Sequence, residues 1–215
     1  MIGNPITREQ MDKLMNFGEI SVIKIKKQDC FSSGFLCNIY FPDKKALPVL
    51  IANNHMLNEN DIVVGKKIDF SLELEQNFHQ IIIDDTRKVY TSRIYDITII
   101  EIKKNDGLDI SSFFEVDPNI FFYDERELKN KQVCLLSYPY GKELSFSYGT
   151  IKNLKNDGYH ILHSCSSIFG CAGGPIIDLN DYHVIAVHQG TIKNQNFNIG
   201  IFLKKPLEEF RKINN

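Results

Sequence analysis

Between Ile20 and Phe202 the chain is cut into short runs of β-branched and aromatic residues separated by polar turns, and no other feature narrows the fold as much. The runs are Ser21 to Ile25, Gly34 to Tyr40, Val49 to Ala52, Lys66 to Leu74 and Ile81 to Asp84 in the first half. In the second half they are Ile97 to Ile102, Gln132 to Ser137, Ser145 to Leu154, Tyr159 to Leu162, Pro175 to Asp178, Val184 to Gln189 and Ile199 to Phe202. Helical spacing occurs only at the two ends. Thr7 to Phe17 has a threonine cap followed by Met11, Leu14 and Met15, with the period changing after Gly18. Pro206 to Ile213 places a proline at the first helical position. Many short strands with terminal helices predict an all-β protein of two sandwich or barrel lobes, with Lys103 to Leu128 as the connection.

A chain of 215 residues that is 43% hydrophobic and 24% charged can bury a proper core and does not have the composition of a disordered one. A formal charge of −2 gives no electrostatic footprint for nucleic acid, and the cluster Lys24, Lys26 and Lys27 reads as a solvated strand face. No apolar run is long enough to span a bilayer, and Met1 to Arg8 lacks the apolar core of a signal peptide, so a soluble protein without membrane contact is expected. Five cysteines, an odd number without the spacing of a disulfide framework, favour a reducing cytoplasmic setting.

The chemistry lies in Gly170-Cys171-Ala172-Gly173-Gly174-Pro175, entered from Ser164 to Ser167 and followed by Ile176-Ile177-Asp178. Gly-Gly-Pro alone is an ordinary turn, but a glycine-rich path also lets backbone N–H groups converge on a developing oxyanion. Upstream, the apolar run Val49-Leu50-Ile51-Ala52 leads into Asn53-Asn54-His55, and Tyr95-Asp96-Ile97-Thr98-Ile99-Ile100 sets an aspartate at a strand entrance. Each signal is weak by itself: a lone histidine is more often structural, and an aspartate there is usually a turn residue. Their order is informative, because histidine, aspartate and nucleophile loop follow one another as in chymotrypsin-type enzymes and not as in subtilisins or α/β-hydrolases.

The loop resembles the Gly-x-Ser-Gly-Gly-Pro nucleophile loop of trypsin-like serine peptidases, and Ser33-Gly34-Phe35-Leu36, Ser137-Tyr138-Pro139-Tyr140-Gly141 and Gly149-Thr150-Ile151 resemble further segments of that family. The resemblance covers roughly residues 20 to 203. It implies one peptidase domain over residues 1–215, made of two six-stranded β-barrels of the chymotrypsin type. The lobes would span about 18–105 and 125–205, with short terminal helices added. It implies His55 as general base, Asp96 as its orienting carboxylate, and Gly170 and Ala172 as oxyanion donors. Residue 172 is the nucleophile position, where alanine replaces the serine of the motif. A chain with this alanine should not cleave. Either a serine was replaced or the natural protein is a pseudoprotease that binds a peptide or protein without cutting it. Retention of His55, Asp96, Gly170 and Gly173 favours the replaced serine. The departure at Asn53 and Asn54, where the family has small residues, matters little for the chemistry. A structural domain in which His55 and Asp96 are incidental is the remaining reading, and the triad order argues against it.

The pocket implied by the resemblance is built from Ser164 to Ser167 and Val184 to Gly190, without the acidic base that would draw lysine or arginine. Val184-Ile185-Ala186-Val187-His188-Gln189-Gly190 resembles the pocket strand of glutamyl endopeptidases and picornaviral main proteases. His188 would then select glutamate or glutamine with Ser166 and Ser167 nearby, and Gln189, Gly190 and Thr191 would pair with the peptide backbone. The alternative for His188 is a satisfied buried histidine. His163 with Cys165 and Cys171 lacks paired metal-ligand spacing, so neither metal nor cofactor is expected. Cys171 stands one residue early for a nucleophile and is expected to be buried. His79, His160 and His183 need no role. Met1 precedes a helix and not a mature start such as Ile-Val-Gly-Gly, so activation by a new N-terminus is not expected.

Overall fold

The computed structural model describes residues 6–28, 30–41, 46–73, 78–192 and 196–214. Leu74, assigned to the fourth run, and Met1 to Pro5 lie outside these described residues. The first helix, α1 (Arg8–Ser21), opens with a capping box in which Gln10 N–H donates to Thr7 Oγ1 (3.2 Å) and Thr7 N–H donates to Gln10 Oε1 (2.9 Å). It continues past Gly18, where a break was expected. Gly18 is buried in the helix, and a Cβ there would meet the Leu144 side chain at 2.9 Å, so close packing explains the glycine.

The first lobe contains β1 (Val22–Lys27), β2 (Cys30–Ile39), β3 (Leu47–Ala52), β4 (Lys67–Ser71), β5 (His79–Ile82), β6 (Val89–Ser92) and β7 (Ile97–Glu101), hydrogen-bonded in the order β5-β4-β1-β2-β3-β7-β6. The eighth strand, β8 (Phe114–Glu115), adds to β2 in parallel. This lobe is the barrel-like sheet expected, a half-barrel with seven strands on one hydrogen-bonded path and β8 beside it, where six strands were expected. Inward residues such as Ile25, Leu36, Leu50, Phe70, Ile81 and Ile100 fill its interior. A side chain closes the gap that backbone pairing leaves. Arg87 Nε donates to Ile82 O (3.1 Å) at the end of β5, and Nη1 donates to Glu101 O (2.6 Å) at the end of β7. Its Nη1 and Nη2 also grip Asp106 at 2.7 and 2.9 Å. The lysine cluster is not one solvated face. Lys27 bonds Asp61 (2.5 Å), and Lys24 lies over the Tyr138 ring; only Lys26 is exposed.

After β8 and the single turn α2 (Glu125–Leu128) the second lobe begins. Its strands are β9 (Gln132–Ser137), β10 (Ser145–Leu154), β11 (His160–His163), β12 (Pro175–Asp178), β13 (Val184–Thr191) and β14 (Asn198–Phe202). They close into a six-stranded barrel in the order β10-β11-β14-β13-β12-β9. A continuous apolar cluster, including Phe35, Ile51 and Ile99 from the first lobe and Leu135, Ile176 and Val187 from the second, joins the two. The last helix, α3 (Lys204–Ile213), returns to β6 and buries Leu207 and Phe210. Pro206 is its third residue and not its first, a position whose N–H still has no partner within the helix. Among the described residues, no helix is long and apolar enough to cross a membrane.

Candidate active site

β3 ends at Ala52, buried in the first lobe, and leads into a tight turn, in which Asn53 O accepts the N–H groups of Met56 (3.2 Å) and Leu57 (3.0 Å). The turn presents His55 with its side chain 52% exposed, while that of Asp96 behind it is 14% exposed. Asp96 closes the β6–β7 turn with φ of 49°, a left-handed conformation that aspartate tolerates better than most residues. Its carboxylate lies 2.8 and 3.0 Å from His55 Nδ1 and accepts the His55 backbone N–H at 2.9 Å. A carboxylate only accepts, so Nδ1 carries the proton and Nε2 keeps its lone pair for the cleft. The two asparagines do more than fill space. Asn53 Nδ2 donates to Asp96 O (2.9 Å), and Asn54 Nδ2 donates to Thr91 Oγ1 (2.6 Å), bracing the segment that carries the aspartate.

The loop before β12 is held on both sides. Phe169 O accepts the Tyr140 N–H at 2.7 Å, and because the C=O and N–H of a trans peptide point oppositely, the Gly170 N–H turns the other way. Among the described residues, neither the Gly170 nor the Ala172 N–H has an internal acceptor. Gly170 has φ of +94°, and a Cβ there would meet Tyr138 O at 2.5 Å. Gly173 has φ of +86°, and a Cβ would fall 1.9 Å from Ser33 O, so no other residue fits this backbone path. Ser32 Oγ and Ser33 N–H both donate to Ala172 O (2.7 and 2.8 Å), and Ser33 Oγ donates to Gly170 O (2.8 Å) while accepting from Tyr138 N–H (2.9 Å). Cys171 is buried, with its sulfur accepting from the Ile168 N–H.

His55, Gly170, Ala172, His188, Gly190 and Thr191 meet in one cleft of about 350 Å³. Ser166, Ser167 and Gln189 do not line it. Ser166 is exposed with its N–H on Ser147 Oγ, Ser167 Oγ lies 3.4 Å from Thr191 Oγ1, and Gln189 falls where the β13–β14 register shifts. The sequence reading missed the apolar walls Phe31, Met56, Ile168 and Phe169. Phe31 could have been noticed, since it stands two residues before the Ser33-Gly34-Phe35-Leu36 segment.

His188 is buried in the cleft wall, and its Nδ1 lies 3.1 Å from His163 Nε2. Burial pushes His163 down to about 4, and burial with the neighbouring imidazole pushes His188 down to about 3, so both are neutral near pH 7. One ring must donate to the other. His163 Nδ1 is buried without a partner, and a buried orphan N–H is rarer than an orphan lone pair. The favoured arrangement has His163 Nε2–H donating to His188 Nδ1, which leaves His188 Nε2–H as a donor. His163, dismissed on sequence as a stray metal ligand, is thus the partner that sets the His188 tautomer.

A family model described as a trypsin-like peptidase domain matches residues 32–187. No curated protein sequence matches the chain. Among solved structures, the fold is similar to that of a serine endoprotease from Yersinia pestis, with TM-score 0.67 and 12% identity over 99% of this chain and 68% of that one. It is also similar to a Mycobacterium tuberculosis protease in its inactive form. The serine-to-alanine mutant gives TM-score 0.63 and 18% identity over 99% of this chain and 96% of that one. A second structure of that protease, also described as an inactive form, gives TM-score 0.63 and 16% identity over the full length of both. With strand order, lobe pairing and family model in agreement, the chain belongs to the trypsin-like peptidase family and has the chymotrypsin fold.

Proposed function

We propose that the protein is a serine endopeptidase scaffold in which His55 is the general base, Asp96 orients it, and residue 172 is the nucleophile position. The reading rests chiefly on the short His55–Asp96 contact, which opens onto the same cleft as the Ala172 loop. With serine at 172, the hydroxyl oxygen attacks the peptide carbonyl carbon as His55 Nε2 takes its proton, and the N–H groups of Gly170 and residue 172 receive the oxyanion. His55 then returns the proton to the departing amine, and a water deprotonated by the same imidazole releases the acyl group. No cofactor is needed. Alanine leaves the backbone donors in place but removes the attacking oxygen, a loss on the order of 10⁶ in turnover. The intact remainder of the site supports alanine as a replacement for serine.

Protein or peptide substrates follow from the family. The finer preference for glutamate or glutamine before the scissile bond is supported by His188, whose Nε2–H suits the side-chain oxygen of either residue. Peptide pairing along Gln189, Gly190 and Thr191 is supported by β12 and the glycines before it, which bond β13 only as far as His188 and, among the described residues, leave the edge beyond it without a backbone partner. The five free thiols support a reducing, cytoplasmic setting. A second reading, a natural pseudoprotease that holds peptide in the cleft, is favoured by Ala172 itself.

Cleavage of a peptide library by the Ala172→Ser variant beside the parent decides between them. Cutting by the serine form alone, weakened after glutamate or glutamine by His188→Ala, supports the enzyme. Failure of both forms to cut, with peptide binding by the parent, supports the binding module.

A further inference from the structure

The aspartate of the site stands on a turn that barely holds itself. Within Arg93 to Asp96 the internal hydrogen bonds are long: Asp96 N–H to Arg93 O is 3.4 Å, and Tyr95 N–H to Ser92 Oγ is 3.3 Å. Asp96 is moreover in the left-handed region, so the turn needs external support to keep the carboxylate on His55. Part comes from Asn53 on the Asp96 carbonyl. Arg93 adds an exposed pair with Glu59 (Nε to Oε1, 2.8 Å), which solvent screens. The buried support comes from the far end of the chain. Glu209 of α3 accepts the Tyr95 hydroxyl on Oε1 (2.7 Å) and the Tyr90 hydroxyl on Oε2 (2.8 Å). One carboxylate therefore binds both the strand that enters the turn and the residue next to Asp96, with charge-assisted bonds shorter than those within the turn. Tyr95 is also wedged edge-on against Tyr159 (4.9 Å between ring centres), over which Lys205 of α3 sits at 5.6 Å. Burial, with the bond to Glu209, pushes the Tyr95 phenol up to about 12, so it stays a donor through neutral pH.

We propose that Glu209 is a positioning residue for the Asp96–His55 pair, with α3 acting through Tyr95 and Tyr90 to hold the turn from which the aspartate reaches the imidazole. The inference rests on the reading of His55 as general base. Glu209 touches neither the cleft nor His55, and its effect is on how often Asp96 is in place.

The test uses the full chain in two forms. In the parent with Ala172, proton NMR reads the low-field Nδ1–H signal of a carboxylate-bound His55. It is expected to be strong in the parent, reduced in Glu209→Gln, whose amide accepts through one oxygen only, and broadened or lost in Glu209→Ala. In the Ala172→Ser form, Glu209→Ala is expected to lower kcat by about 10- to 100-fold, the scale of a displacement of ~1 Å. KM should stay within about twofold, because no cleft residue has changed. A folded Glu209→Ala protein with an undiminished Nδ1–H signal and unchanged kcat overturns the proposal. If Glu209→Ala does not fold, Tyr95→Phe takes its place, since it removes one hydroxyl and keeps the Tyr90 bond. A reduced signal then supports the proposal and an unchanged one overturns it. If the Ala172→Ser chain cuts nothing, the peptidase reading fails, while the NMR signal still decides the role of Glu209.

Discussion

The buried pair His163 and His188 makes the fold sensitive to mild acid, by an amount that can be worked out. In the folded protein both imidazoles are held well below their ordinary value, to about 4 and about 3, chiefly by burial. As the pH falls through ~6.5, the unfolded chain therefore takes up protons that the folded chain refuses. The sign follows: stability is complete above about pH 6.5 and is lost as the pH drops toward the folded values. Between pH 7 and pH 5 the loss depends only on the unfolded reference, since both folded values lie below 5. It comes to about 2 kcal/mol for each imidazole and about 4 kcal/mol for the pair. Against a total stability of about 5–15 kcal/mol this is a large share. Because His55, His160 and His183 each lie against carboxylates, the share of the pair has to be isolated by difference. Urea unfolding of the parent and of His163→Gln at pH 7 and pH 5 provides it, as glutamine can still donate to His188 Nδ1 but does not titrate. The parent should lose about 2 kcal/mol more than the variant over that interval. Equal losses in the two proteins would show that His163 takes up its proton without unfolding, and the tautomer assigned to His188 would fall with it.

Two further substitutions test how the lobes are held. Arg87→Met, which takes the guanidinium from the Ile82 and Glu101 carbonyls and leaves the buried Asp106 carboxylate with only the Lys103 N–H, should cost about 3–5 kcal/mol in urea unfolding, the scale of breaking a buried pair. Ser33→Ala strands the Tyr138 N–H and the Gly170 carbonyl and should cost about 2–3 kcal/mol; in the Ala172→Ser form it should lower kcat more than it raises KM for the same peptide.

The parts of the structure written in local patterns were legible before the coordinates. β9, β10 and β12 match their runs from end to end, because each run is bounded by turn residues that stop the strand. The order of His55, Asp96 and the glycine loop was equally plain, since a tight backbone path leaves its glycines in the sequence. β6 was missed because Tyr90 is its only buried residue, and Thr91 and Ser92 read as turn. β8 is two residues long and exists only because β2 offers it an edge. The bond between His163 and His188 crosses from β11 to β13 with β14 between them, and no spacing along a chain encodes a contact across a third strand. Ser166 and Ser167 were placed by analogy of position, and small polar residues carry no pattern that says which way they face.

The two halves of the site come from different lobes, so the question is what keeps them in register. Apolar packing resists separation but permits sliding, and a slide of ~1 Å is enough to spoil a proton transfer. Directional contacts prevent it. Ser32 and Ser33 of β2 bind the carbonyls of Gly170 and Ala172, and Gly173 lies against the Ser33 carbonyl with no room for a Cβ. β2 also pairs with β3, the strand that leads to His55, so one strand of the first lobe stands between the imidazole and the glycine loop and touches the elements of both. All these bonds run through backbone atoms of residues 170–173, and none uses the side chain of residue 172. The geometry of the loop is therefore indifferent to whether that side chain is a methyl or a hydroxymethyl group, which is why the site stays assembled with alanine in place and why Ala172→Ser asks the fold to accommodate a single added oxygen.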